Sequence, residues 1–430
     1  MDRIRIFGGE PLKGIIPISG AKNAALPILV ASLLTDQPLT VHNIPRLADV
    51  RRLLQLLGNH GVDYTILGRR SGQDTDSGLS VTLQAKDIID TCAPYEFVSK
   101  MRASFWVIAP LLARFGQARV SMPGGCAIGT RPVDQLLMAL SAMGASIEVD
   151  QGYVIASAPR GLHGAPIVFS KLTVGGTHIA LMAASLAQGV TIIENAAREP
   201  EIVDLAACLS KMGARIQGAG TSRIEIEGVS SLGRAEHRII SDRIEAGTYA
   251  MAVAMTEGDV LLRGACGAHL EKVLHILTQT GVSIQATPEG IHVSRKGVPL
   301  KPITRLMTEP FPGFPTDLQA QFMALMTMAN GPSCIHETIF ESRFMHVQEL
   351  IRLGAKVNLS GDVAYIEGNS KLVGAPVMAT DLRASASLVI AGLMAMGETI
   401  IHRVYHLDRG FEALEKKLGA CGARIERLTE

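Results

Sequence analysis

The sequence predicts an α/β protein of two domains, each assembled from three copies of one helix–strand unit. Three observations point to this. A Leu followed four residues later by Gly recurs six times, at Leu57/Gly61, Leu140/Gly144, Leu209/Gly213, Leu277/Gly281, Leu350/Gly354 and Leu418/Gly422. Five of these glycines lead into an apolar-x-Ile or apolar-x-Val triplet (Ala145-Ser146-Ile147, Ala214-Arg215-Ile216, Val282-Ser283-Ile284, Ala355-Lys356-Val357, Ala423-Arg424-Ile425), and the first copy reads Val62-Asp63-Tyr64. The chain has 430 residues, too many for one ordinary core, and 47% of them are hydrophobic, enough for two.

Each unit reads in the same order. An Ala-rich apolar helix comes first, as at Ile179–Ala187 and Ser385–Met396, followed by a small or polar break and a β-rich run such as Thr191-Ile192-Ile193 or Thr399-Ile400-Ile401. A loop and a second, amphipathic helix follow. That helix carries the Leu, the Gly is its C-cap, and a short strand leaves it. Further short strands link one unit to the next; Arg223–Glu227 alternates at period two, the pattern of a half-exposed strand. The glycines lie about 70 residues apart, with one longer step of 83 from Gly61 to Gly144. The polar run Gly233–His237 suggests a boundary near 235, dividing the chain into 20–234 and 235–430. Residues 1–19 precede the first unit, and pairing of Ile4–Ile6 with the last strands of the chain would add them to the second domain. Arg70–Ser77 reads as a hairpin tip.

Composition excludes several functions. With 41 basic and 40 acidic residues the net charge is +1, and aromatics are 4%, which argues against a nucleic-acid binder working by bulk charge. The longest apolar runs, Ala24–Leu34 and Ala384–Met396, are too short to span a membrane. The N-terminus, Met1-Asp2-Arg3-Ile4-Arg5, lacks the apolar core of a secretion signal. The six cysteines are scattered without metal or redox spacing, so free thiols in a reducing, cytoplasmic compartment are expected. Cys92, Cys208, Cys266, Cys334 and Cys421 fall in or beside apolar runs and read as inert core thiols. His42, His178, His346 and His402 show no metal-ligand spacing and read as structural.

Chemistry concentrates in the loops where a strand gives way to a helix. Pro123-Gly124-Gly125-Cys126-Ala127-Ile128-Gly129-Thr130-Arg131-Pro132-Val133-Asp134 sets one thiol five residues from an arginine, on the approach to a helix. Positive charge and a helix N-terminus favour the thiolate and also attract phosphate or carboxylate. A glycine-rich turn with an incidental cysteine is the plainer alternative. Lys22 and Arg383 lie near the starts of apolar helices, where a cation opposes the helix dipole unless an anion joins it. That anion is a ligand or, for either cation, a carboxylate of the protein nearby, such as Asp381 for Arg383. Prolines stiffen Phe311–Asp317, leaving Asp317 as either a helix N-cap or a base for a substrate hydroxyl. Lys171 precedes the flexible turn Thr173–Gly176.

The segments Gly20–Ala24, Pro123–Asp134, Asn195–Glu201, Phe314–Gln321, Ala379–Ser387 and His406–Gly410 closely resemble those of the UDP-N-acetylglucosamine 1-carboxyvinyltransferases, the enolpyruvyl transferases that open peptidoglycan synthesis. The resemblance covers the whole chain, and the cysteine loop and Asp381–Ser385 are specific to it. The related shikimate-pathway enolpyruvyl transferases share the six-unit fold and are not expected to carry this cysteine loop. The chain departs from the family pattern at Gln135-Leu136.

The resemblance implies two inside-out α/β barrel domains of three units each, with the active site between them. It implies transfer of the enolpyruvyl group of phosphoenolpyruvate to the 3′-hydroxyl of UDP-N-acetylglucosamine, without metal or cofactor. Cys126 would protonate the methylene carbon and be the target of fosfomycin, and Asp317 would take the hydroxyl proton. Lys22, Asn23, Arg131 and Arg409 would hold the phosphate end of phosphoenolpyruvate, with Arg343 and Arg383 at its carboxylate. Arg102, Arg131, Pro132, Val133, Asp134, Gln135, Lys171, Leu172, Thr173, Val174, Asp317 and Ile339 would meet the nucleotide sugar. The expected partners are these small molecules, with no nucleic acid and no membrane. The oligomeric state is left open, and a monomer is compatible with the sequence. The competing readings are a catalytically silent paralogue that binds the nucleotide sugar and a shikimate-pathway transferase.

Overall fold

The computed structural model describes residues 2–67, 78–123 and 133–429. The expected hairpin tip Arg70–Ser77 lies outside them, as do Cys126, Arg131 and Pro132. The chain divides into two compact units. One comprises the described residues of 20–240; the other comprises 2–19 and 241–429.

Among the described residues six four-stranded sheets carry the repeat, three in each unit, and all six have one topology. An edge strand runs parallel to its neighbour, and the two remaining pairings are antiparallel. In one sheet Pro166–Val168 is parallel to Val190–Glu194, which pairs antiparallel with Arg223–Glu227, which pairs antiparallel with Arg215–Gln217. Arg223–Glu227 alternates between exposed and buried as its period-two pattern requires.

Strands distant in sequence complete three of the sheets. Arg3–Phe7 lies between Glu398–His402 and Arg424–Leu428. Lys13–Pro17 runs parallel to Asp259–Arg263. Ala235–Arg238 runs parallel to Leu39–Ile44, so this strand stays with the 20–240 unit, whose last residue is Ile240.

The helices are of two kinds. Lys22–Ala31 and Val174–Ala184 in one unit, and Arg243–Met255, Gln319–Met326 and Ala384–Gly392 in the other, are buried over nearly their whole circumference. Their Ala-rich, uniformly apolar sequences suit only a core. The helices that carry the repeat leucines, such as Ala48–Asn59 and Glu271–Gln279, bury one face and expose the other. Helices therefore fill each unit and sheets enclose it, the inside-out arrangement.

All six repeat glycines adopt left-handed backbone, with φ between +94° and +109°. In each copy the residue after the glycine donates to the carbonyl of the repeat leucine, from Val62 N–H to Leu57 O (3.0 Å) through Ala423 N–H to Leu418 O (3.1 Å). The glycine N–H itself bonds the carbonyl three residues back, as Gly61 does to Gly58 (3.0 Å). This is a Schellman cap, which satisfies two carbonyls at the helix end and turns the chain into the edge strand.

The thiols depart from expectation. Cys208 and Cys421 are buried, but Cys92 and Cys334 are partly exposed and Cys266 is exposed. Cys266 follows the strand Asp259–Arg263 and precedes a single 3₁₀ turn.

Candidate active site

In the 241–429 unit the Phe311–Asp317 segment ends in a 3₁₀ turn, Thr316–Leu318, before the helix Gln319–Met326. That turn presents Asp317. Its Oδ1 accepts from Arg343 Nη2 at 2.7 Å and its Oδ2 from Arg383 Nε at 3.3 Å. Arg343 is 5% exposed and Arg383 3%. Arg343 Nη1 also donates to Thr316 Oγ1 at 2.8 Å. The arginines stand over aromatic rings, Arg343 above Phe340 and Arg383 above Phe411, at 5.3 and 5.6 Å from the centroids.

Arg383 was expected either to meet a ligand or to pair with Asp381. Asp381 takes a different part: its Oδ1 accepts the backbone N–H groups of Arg383 and Ala384 at 2.9 and 3.0 Å. It fixes the start of the helix Ala384–Gly392, and the guanidinium turns to Asp317. Nη1 of Arg383 is buried and has no hydrogen-bond partner among the described residues. An orphaned buried donor is expensive, by about 1–3 kcal/mol and more when charged, so a cation left in this state is suited to an incoming anion.

Arg409 closes the 3₁₀ segment Val404–Arg409. The preceding Asp408 is gripped by both guanidinium nitrogens of Arg427, at 3.0 and 2.6 Å. Burial, then the charge of Arg409, holds His406 below its usual value. His346 is wholly buried and pushed down to about 4, chiefly by desolvation; Asp381 opposes the shift and Arg343 adds to it. Ile339 stands on the turn after the strand Ser333–His336, its N–H bonded to Glu337 Oε1 at 2.9 Å.

The 20–240 unit holds a second group. Lys22 opens its helix with Nζ 2.7 Å from Oδ2 of Asp49, and Asn23 follows, partly exposed. A protein carboxylate thus stands beside the cation for which the sequence suggested an anion. Arg102 begins the 3₁₀ segment Arg102–Val107, which also carries Trp106. The Trp106 ring meets His178 edge-on at 5.0 Å. A Cβ on Gly175 would lie 3.3 Å from Trp106 Nε1, close enough that the indole would have to give by a few tenths of an ångström.

Two of the expected nucleotide-sugar segments are drawn together. Val133 is the buried cap of the helix Asp134–Ala142, on which Asp134 is exposed. Thr173 caps Val174–Ala184 by accepting from Gly176 N–H at 3.1 Å, with Lys171 exposed and Leu172 partly so. Gln135 links the two: its Nε2 donates to Ser170 Oγ, and its Oε1 accepts Ser170 N–H at 3.2 Å. The departure at Gln135 is therefore accommodated by a paired contact. Cys126, Arg131 and Pro132 lie outside the described residues.

Sequence reasoning missed Asp49, Thr316, Glu337 and Ser170. Thr316 lies within the segment Phe311–Asp317, where attention fell on Asp317, and the other three stand in no motif; Asp49 looks like an ordinary acidic residue in the first turn of a helix, and its 1% exposure follows only from packing. Among the described residues no group of three His, Cys, Asp or Glu could hold a metal ion, and no helix is long and apolar enough to cross a membrane.

Residues 6–418 match the EPSP synthase (3-phosphoshikimate 1-carboxyvinyltransferase) family. The chain is 66% identical over 427 residues to a UDP-N-acetylglucosamine 1-carboxyvinyltransferase of Methylobacterium sp. (strain 4-46), covering 99% of both chains. It is likewise 66% identical over 429 residues to the protein of that name from Beijerinckia indica subsp. indica, covering 100% of this chain and 99% of the relative. Its fold is similar to that of the enolpyruvyl transferase NikO from Streptomyces tendae, with a TM-score of 0.87 at 23% identity over 100% and 99% of the two chains. EPSP synthase from Acinetobacter baumannii follows, with a TM-score of 0.75 at 19% identity over the full length of both. This chain belongs to the UDP-N-acetylglucosamine 1-carboxyvinyltransferases, within the EPSP synthase family.

Proposed function

We propose that the chain transfers the enolpyruvyl group of phosphoenolpyruvate to the 3′-hydroxyl of UDP-N-acetylglucosamine and releases phosphate. The observation that carries the reading is the orphaned Nη1 of Arg383 beside Asp317. It is a buried cationic donor in want of an anion, adjacent to a carboxylate able to accept a proton. Arg383 and Arg343 take the carboxylate of phosphoenolpyruvate, and Lys22, Asn23, Arg131 and Arg409 its phosphate.

The Cys126 thiol gives its proton to the methylene carbon, which leaves the neighbouring carbon electrophilic. The sugar hydroxyl oxygen bonds to that carbon while its proton passes to Asp317. Phosphate then leaves, taking up the proton held by Asp317, and one proton of the new methyl group returns to the Cys126 thiolate, which restores the enol double bond, the carboxylate and the thiol. The negative charge of the carboxylate and of the departing phosphate is offset by fixed cations with little water to screen them. Arg102, Arg131–Gln135, Lys171–Val174 and Ile339 hold the nucleotide sugar. The reaction belongs to the cytoplasm, and its partners are the two substrates.

Phosphate release from phosphoenolpyruvate, with and without UDP-N-acetylglucosamine, tests the reading. Release that requires the nucleotide sugar and drops at least about 100-fold in Asp317→Asn and in Cys126→Ser supports it. Release with shikimate 3-phosphate instead, or binding of the sugar without release, overturns it. Fosfomycin should inactivate the natural chain and spare Cys126→Asp.

A further inference from the structure

Glu337 is 2% exposed, and four hydrogen bonds converge on its carboxylate. Oε1 accepts from Thr308 Oγ1 at 3.0 Å and from the N–H groups of Ile339 and Phe340 at 2.9 and 3.2 Å. Oε2 accepts from Thr316 Oγ1 at 2.9 Å. The last of these sets a direction. An ionised carboxylate only accepts, so Thr316 spends its single proton on Glu337 and turns lone pairs outward. Arg343 Nη1 can then donate to Thr316 Oγ1 at 2.8 Å while Nη2 donates to Asp317 at 2.7 Å. The guanidinium is held at both ends, one of them through Thr316.

We infer that Glu337 is a positioning residue which, acting through Thr316, orients Arg343 against Asp317 for the reaction. It touches neither substrate in this reading and works by fixing the polarity of one hydroxyl. The inference rests on the proposed function for the identity of the substrates, but the geometry it invokes does not.

Two substitutions isolate the polarity from the packing. In Glu337→Gln the amide oxygen can keep the three bonds at the Oε1 position. The amide nitrogen then donates to Thr316, and two donors meet one hydroxyl whose own proton has lost its acceptor. Thr316→Val keeps the shape and removes the hydroxyl, and Thr316→Ser restores it. With purified full-length variants, E337Q and T316V should each lower kcat/KM for phosphoenolpyruvate by roughly 10- to 100-fold, the loss of one hydrogen bond to a charged group. T316S should stay within about threefold of the natural chain. The double variant should be no worse than either single, because both break the same link. Calorimetric binding of UDP-N-acetylglucosamine alone and the melting temperature should change little, which separates positioning from a folding defect.

Full activity in T316V, additive losses in the double variant, or losses that follow the melting temperature would each overturn the inference. If the natural chain shows no sugar-dependent phosphate release, the functional reading fails, and the crystal structure of T316V decides this one. Arg343 leaving Asp317 supports it, and Arg343 unmoved refutes it.

Discussion

Lys22 and Asp49 form a buried ion pair: Nζ lies 2.7 Å from Oδ2, and the two side chains are 6% and 1% exposed. Arg52 stands 4.0 Å from the other oxygen of Asp49. Two charges withdrawn from water need each other, because either one left alone keeps its desolvation penalty without the attraction that offsets it.

Asp49→Asn should therefore destabilise the chain by about 3 kcal/mol or more, since it takes the negative charge away from a buried ammonium. The double variant Asp49→Asn, Lys22→Met removes that buried cation as well and should recover part of the loss. Urea unfolding of the three proteins measures both effects. A single variant as stable as the natural chain would show that the pair contributes nothing.

The repeat glycines differ in what a side chain would meet. At Gly213, with φ +109°, a Cβ meets nothing within 4 Å. Gly213→Ala should show only the backbone cost of left-handed geometry, about 1–2 kcal/mol. At Gly61 the same Cβ would stand 2.6 Å from the carbonyl oxygen of Asp87. Gly61→Ala should thus lower the unfolding midpoint clearly more than Gly213→Ala, although the dihedrals are alike. Equal losses would mean that the carbonyl moves aside freely.

Burial lowers His178 from an ordinary 6.5 to about 3. Between those values the unfolded chain binds the proton and the folded chain does not. Unfolding then takes up a proton, so stability is fully present above pH 6.5 and falls as pH drops toward 3. The limiting slope is about 1.4 kcal/mol per pH unit for one histidine. Unfolding free energies between pH 7 and pH 4 should show this decline, and His178→Gln should flatten it. An unchanged slope in the variant would assign the acid sensitivity to other groups.

Much of the candidate site was legible: the pattern of strand, loop and helix singles out Lys22, Asp317 and Arg383, and the family resemblance adds Arg343 and Arg409. Their protein partners were not legible. Asp49 and Lys22 lie 27 residues apart, and Arg343 and Arg383 reach Asp317 from separate loops. Thiol burial failed for a related reason. Cys266 sits near apolar residues in sequence, but exposure depends on what packs across from it, and Cys266 is exposed.

The sequence by itself determined the number of units, their order and their caps. Those follow from local rules: a glycine reaches φ near +100° where other residues strain, and a uniformly apolar helix has nowhere stable but a core. The pairing of Ile4–Ile6 with the last strands was legible too. Only the tertiary structure decided that Lys13–Pro17 and Ala235–Arg238 complete two other sheets, and which carboxylate stands beside each cation. It set Glu337 behind Thr316. The physical reason is that ion pairs and hydrogen bonds depend on positions accurate to a few tenths of an ångström. Such positions emerge from the packing of the whole unit and are not encoded in any local stretch.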